Sequence, residues 1–285
     1  APDDQEMAMD NLRQYKHANV LRVAAADIVA ALPLMKVSDH LTWIAEVVLE
    51  EALEQAWQHM SRRHGRPPVE DGDDKGFAII GYGKLGGIEL GYGSDLDLVF
   101  LHAAESDTQS TDGGAPLAVP VFFARLGQRL IHVLTAYMPA GLLYEVDMRL
   151  RPDGASGMLV SSLKAFEAYQ RDKAWLWEPQ ALVRARPVAG DPAIGARFQA
   201  IRQQILAQPR DPRHPALDVG RGHAGAPAQQ HSVQVRLVVV AVPDGDLALA
   251  RVRRRPPRRR ARPPSARAGH CVGSGSGGSP PRAAR

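Results

Sequence analysis

The stretch from Phe77 to Phe100 constrains the chain more than any other. A short apolar run, Phe77-Ala78-Ile79-Ile80, ends at Gly81 and reads as a buried strand. A glycine-rich turn over 81–93 follows, and a second strand is predicted over Leu96–His102. Only eight residues separate Gly86 from Asp95, and a βαβ crossover needs roughly ten to twelve. The Gly81-x-Gly83-x-x-Gly86 spacing matches the dinucleotide fingerprint, yet the unit that fingerprint belongs to does not fit here. Two acids at the mouth of the next strand would also repel a pyrophosphate unless a metal intervened. A P-loop is excluded as well, because Lys84 lacks the Gly-x4-Gly-Lys-Ser/Thr frame.

Asp95 and Asp97 stand two apart at the start of the second strand, so alternation puts both carboxylates on one face. Leu96, Leu98 and Phe100 then point the other way, into a core. Adjacent carboxylates repel, and a hard divalent ion such as Mg²⁺ relieves this, usually together with substrate phosphates. In-line attack at phosphorus with two metals calls for a third carboxylate. A third strand predicted over 142–150 supplies it, with Glu145, Asp147 and Arg149 on one face. Either acid fits by alternation, and Arg149 is a charge partner for Glu145 or for leaving phosphates. The glycine-rich turn lets backbone N–H groups approach a triphosphate, and Lys84 adds a charge.

Around this centre the chain reads as helices over 3–64, broken at Pro33 with Ser38 as N-cap of the second. A charged linker spans 70–75 and a loop spans 106–114. Further helices are expected over 119–137, 162–171, 173–185 (with Pro179 at a start or a break) and 192–206. Mixed strands and helices argue for an α/β or α+β fold. Trp175 and Trp177 read as core rather than as a base-stacking platform. Arg184 and Arg186 would reach phosphates or pair with Glu178.

Composition breaks at about residue 210. Residues 210–285 hold fifteen Arg, four Asp and no Lys or Glu, which leaves 20 basic and 27 acidic residues in 1–209. The overall excess of basic residues therefore belongs to the tail and does not argue for a nucleic-acid-binding domain. The tail lacks Phe, Trp, Tyr and Ile. It should be disordered and looks like a frame-shifted reading of GC-rich DNA, with 235–242 as a lone strand at most. No apolar run approaches the ~20 residues of a membrane helix. One Cys excludes a disulfide framework and a Cys-based zinc site. The absence of a signal peptide points to a soluble, cytoplasmic protein, and the start at Ala1 to a piece of something longer.

The motifs resemble one family closely. The run Gly81-Tyr82-Gly83-Lys84-Leu85-Gly86-Gly87 through Gly91-Tyr92-Gly93-Ser94-Asp95-Leu96-Asp97 is similar to the signature of glutamine synthetase adenylyltransferases. So are the blocks at 143–152 (Tyr144-Glu145-Val146-Asp147), at 177–186 and at 20–27. The resemblance spans about residues 8–211. It implies an α+β, polymerase-β-like nucleotidyltransferase domain over 67–209, preceded by a helical segment over 1–66. It also implies Mg²⁺ on Asp95, Asp97 and Asp147, with ATP contacted by Gly83, Lys84, Gly86, Ser94, Arg149 and Arg151. The wording around both acid motifs is closer to the adenylylating than to the adenylyl-removing domain of the family. The expected reaction is AMP transfer to a tyrosine of glutamine synthetase. The expected regulators are glutamine and the PII signal protein, with no membrane or nucleic-acid partner. Removal of AMP by phosphorolysis, or an inactive fragment that only binds, are the alternatives.

Overall fold

Both strands expected around the glycine-rich turn form, and they pair antiparallel. The computed structural model describes residues 2–68, 75–104, 108–174 and 178–207. Two long helices come first, α1 (Pro2–Ile28) and α2 (Leu34–His64). Strand β1 (Phe77–Gly81), the short helix α3 (Gly83–Gly87) and β2 (Leu96–His102) follow. Then come α4 (Val119–Thr135), β3 (Val146–Asp147), β4 (Val160–Ser162) and α5 (Leu163–Asp172). The described residues end with α6 (Glu178–Leu182), β5 (Arg186–Gly190) and α7 (Pro192–Ala207). The fold is α+β.

The sheet runs β3-β2-β1-β5, with β4 on the same edge of β2 as β3. The β1–β2 and β1–β5 pairs are antiparallel, and β3 and β4 both run parallel to β2. Alternate residues of the central strands feed two cores. Phe77 and Ile79 of β1, with Leu96, Leu98 and Phe100 of β2, join α1, α2 and α4 on one face. Ala78, Ile80, Val99 and Leu101 pack against α5, α6 and α7 on the other. With both faces covered, β1 and residues 98–101 of β2 read as continuous apolar runs rather than as an apolar–polar alternation.

The first core holds a fully buried cation. Arg13 of α1 donates from Nη1 to the Met9 carbonyl at 2.8 Å and from Nε to the Gly141 carbonyl at 2.8 Å. Its Nη2 reaches the carbonyls of Val133 at 2.9 Å and Ala136 at 2.5 Å. The guanidinium thus closes the C-terminal end of α4, where carbonyls lack intrahelical donors and a positive charge is favoured.

Several expectations change. Ser38 does not cap α2, because the helix starts four residues earlier behind Pro33. The Pro33 carbonyl accepts from the N–H groups of Lys36 and Val37 and so opens α2. Helix α1 has already ended at Ile28, with Ala30 at φ +52° and the Ala31 N–H donating to the Ala26 carbonyl. The third strand is two residues long rather than nine. Leu143 and Tyr144 are both buried, which breaks the alternation a longer strand needs. Among the described residues, the helix expected over 173–185 appears as α6, with Pro179 in its first turn, and the sequence does not signal the strands β4 and β5. The tail, most of the charged linker, part of the 106–114 loop, and Trp175 and Trp177 lie outside the described residues.

Candidate active site

Strand register brings the acids together. In the parallel β2–β3 pair, Leu96 lies opposite Val146 and Asp97 opposite Asp147. Asp95 sits just before β2, next to the N–H of Leu96, which donates to the Glu145 carbonyl at 3.0 Å. One carboxylate oxygen from each of Asp95, Asp97 and Asp147 lies within 4.8 Å of the others. Like charges directly opposite on neighbouring strands destabilise a sheet. Three oxygen donors this close fit a hard divalent cation, which takes carboxylates readily. Asp95, Asp147 and Arg149 line an open cleft of about 400 Å³ with Glu145, Val146, Met148 and Arg151.

The charges respond to this arrangement. Partial burial pushes the Asp97 carboxyl above its usual range, and the charges of Asp95 and Asp147 push it further, against Arg149 and Lys84. Asp147 moves the other way because Arg149 donates to it. Arg149 Nε reaches Oδ2 at 2.8 Å and Oδ1 at 3.1 Å, its Nη2 reaches Oδ2 at 2.5 Å, and its backbone N–H reaches Oδ1 at 2.8 Å. The partner of Arg149 is therefore Asp147 and not Glu145, which is exposed. The short β3 ends at Asp147, and the backbone then turns so that residue 149 folds back onto residue 147.

The glycine-rich turn closes over this cluster. The Tyr82 N–H donates to the Asp97 carbonyl at 2.9 Å, and Gly83 starts α3 at φ +51°. A Cβ on Gly83 would fall 2.1 Å from Asp97 Oδ2. Only glycine combines that backbone with that approach. Gly83→Ala should therefore displace the Asp97 carboxylate and cost at least about 10²-fold in turnover. Circular dichroism beside the activity assay checks this, and a folded variant of normal turnover would contradict it.

The other sequence-derived site residues have definite places. Lys84 is exposed on α3, and its charge is felt at Asp97. Ser94 Oγ accepts from the Gly91 N–H at 3.0 Å and so shapes the turn that delivers Asp95. Gly86 is buried, donates to the Tyr82 carbonyl, and would place a Cβ 2.1 Å from the Arg184 carbonyl. Its glycine serves close packing of α3 on the segment entering β5. Arg151 lines the cleft while its nitrogens donate to the carbonyls of Met148, Ala155 and Gly157, bracing the loop after β3. Arg184 and Arg186 pair with Glu89 and Glu46 rather than with Glu178.

Contacts that sequence reasoning missed come from the first helix. The Tyr92 hydroxyl donates to Asp27 Oδ2 of α1 at 2.9 Å, which ties the turn before Asp95 to the helical segment. Tyr92 stands in a motif that could have drawn notice, but nothing in the sequence pairs it with a residue 65 positions away.

The sequence model of the Glutamate-ammonia ligase adenylyltransferase family matches residues 1–201. Three similar proteins carry the name bifunctional glutamine synthetase adenylyltransferase/adenylyl-removing enzyme. The one from Thioalkalivibrio sulfidiphilus is 63% identical over 212 residues, covering 73% of this chain and 22% of that protein. The Methylococcus capsulatus protein is 58% identical over 222 residues, covering 77% and 23%. The Pseudomonas aeruginosa protein is 57% identical over 211 residues, covering 73% and 21%. The chain thus spans about a fifth of the length of these relatives.

Proposed function

The chain belongs to the glutamate-ammonia ligase adenylyltransferase family, and we propose that its residues 67–209 transfer AMP from ATP to a tyrosine of glutamine synthetase. What carries this reading is the pairing of Asp97 with Asp147 beside Asp95, in a family whose named members include adenylyltransferases. Asp95, Asp97 and Asp147 would hold Mg²⁺ that enters with ATP. When bound, that ion supplies charge neutralisation at the triphosphate.

The chain's own residues account for the rest. The turn over 81–93 brings backbone close to the carboxylates, and Lys84 offers a mobile positive charge to the phosphates. Arg149 keeps Asp147 ionised and is exposed enough to reach a phosphate from the same position. The tyrosine oxygen attacks the α-phosphorus, a new O–P bond forms, and the bond to the β-phosphate oxygen breaks. Pyrophosphate leaves, and the hydroxyl proton passes to a carboxylate near the hydroxyl or to water. Among the described residues no helix is long and apolar enough to cross a membrane. We place the reaction in the cytoplasm, with ATP and glutamine synthetase. Glutamine and the PII signal protein are proposed as regulators, and addition of either should change the rate of transfer.

Mass spectrometry of unmodified glutamine synthetase after incubation with the full chain, ATP and Mg²⁺ tests the direction. One adenylyl group on a tyrosine-containing peptide, with pyrophosphate released, is expected. An unmodified target, together with release of ADP from adenylylated glutamine synthetase and phosphate, would overturn the direction and assign the removing reaction instead.

A further inference from the structure

Arg186 opens β5 opposite Gly81, the residue from which the glycine-rich turn departs. Its Nε donates to the Gly86 carbonyl at 3.0 Å and its Nη2 to the Leu85 carbonyl at 3.0 Å. Both carbonyls belong to the end of α3, and that of Leu85 also accepts from the Ile88 N–H at 3.4 Å. The same Nη2 donates to Glu46 Oε1 of α2. Both side chains are largely sheltered, at 23% and 26% exposure, so this is not a solvated surface pair of little consequence. A planar guanidinium can serve two carbonyls and a carboxylate together, and a lysine ammonium cannot reproduce that fork. Neighbouring bonds secure the same junction. The Gly190 N–H donates to Glu50 Oε2 at 2.8 Å, and Arg184 Nη1 donates to Glu89 Oε2 at 2.7 Å. Arg186 is not among the residues that line the acidic cleft.

We propose that Arg186, held by Glu46, is a positioning residue that fixes α3 so that Gly83 and Lys84 stand beside Asp97, and that it thereby sets affinity for the triphosphate of ATP. The proposal rests on the nucleotidyltransferase reading. It also makes the helical segment part of the nucleotide site, because Glu46 belongs to α2 and lies 140 residues before its partner.

The test measures binding of Mg·ATP by calorimetry to the full chain, well below its melting temperature. Wild type, Arg186→Met, Arg186→Lys, Glu46→Gln and the Glu46→Gln/Arg186→Met double variant are compared, with KM and kcat for transfer alongside. Arg186→Met should weaken ATP binding and raise KM for ATP about tenfold, leaving KM for the protein target unchanged. Arg186→Lys should fall between wild type and Arg186→Met. Glu46→Gln should weaken binding less than Arg186→Met and add nothing in the double variant, because both act through one contact. Folded variants with wild-type ATP affinity and only a lower melting temperature would overturn the proposal. Should Arg186→Met not fold, unchanged affinity in Glu46→Gln overturns it alone. A wild-type chain that binds no Mg·ATP would overturn the nucleotidyltransferase reading, and the proposal with it.

Discussion

Asp97→Ala should lower AMP transfer by on the order of 10³-fold or more, with the fold intact. Asp97 sits at the centre of the cluster, opposite Asp147 on the neighbouring strand and two residues from Asp95. Its loss leaves two acids to hold the ion and removes the carboxylate against which Gly83 is fitted. The fold should survive because Asp97 packs in neither apolar core. Asp97→Asn gives a second readout. The carboxyl titrates higher in the folded protein than in the unfolded chain. Between those two values the folded state keeps a proton that the unfolded chain has released. Stability therefore falls as pH rises through that window, and the deficit persists at neutral pH. The amide removes the deficit, so without divalent ions Asp97→Asn should melt a few degrees above wild type at pH 7 and no higher than wild type at pH 3. Mg²⁺ should raise the melting temperature of wild type more than that of the variant. A variant that melts lower at pH 7 and responds to Mg²⁺ as fully as wild type would contradict the like-charge account.

Arg13→Met should cost about 1.5–3 kcal/mol of stability, the range for hydrogen bonds to a charged group whose loss leaves buried acceptors short of a donor. Total stability of a domain is about 5–15 kcal/mol, so this is a large share of it. The mechanism is the loss of donors for four carbonyls, on Met9, Val133, Ala136 and Gly141. Methionine fills much of the space but donates nothing. Burial lowers the pKa of the guanidinium and nearby Asp10 opposes that shift. Asp10 also accepts the Ala140 N–H at 3.1 Å, so the pair pins the 136–141 turn from two sides. Arg13→Lys should lose less, since an ammonium keeps the charge but cannot span all four acceptors. Urea denaturation followed by circular dichroism decides. A loss below about 0.5 kcal/mol, the range of ordinary surface changes, would mean that the carbonyls find water instead.

The heart of the fold was legible because its signals are local. Phe77 to Ile80 is an apolar run between glycines and Leu98 to Leu101 one that follows two acids, and their strand assignment needs no tertiary context. The helix at 119–135 follows from periodicity alone. What failed depends on partners distant in sequence. Strand β5 contains Pro187 and has no apolar run, and it forms because its outer edge needs no further partner while its inner edge pairs with β1. The start of α2 was misplaced because a proline carbonyl, and not a serine hydroxyl, takes the first N–H groups. Asp95 and Asp97 stood out by their spacing. Their meeting with Asp147 depends on a two-residue parallel pairing that no periodicity shows. Arg13 is less readable still, since an arginine on an apolar helix stripe looks like an interruption of the core it closes.

The most direct measurement is transfer of label from α-labelled ATP to unmodified glutamine synthetase, with and without Mg²⁺, by the full wild-type chain and by Asp95→Ala. Label on tyrosine that requires both Mg²⁺ and Asp95 is the expected result. Equal labelling by Asp95→Ala, or labelling that persists when divalent ions are chelated, would contradict a carboxylate-held metal as the centre of this site.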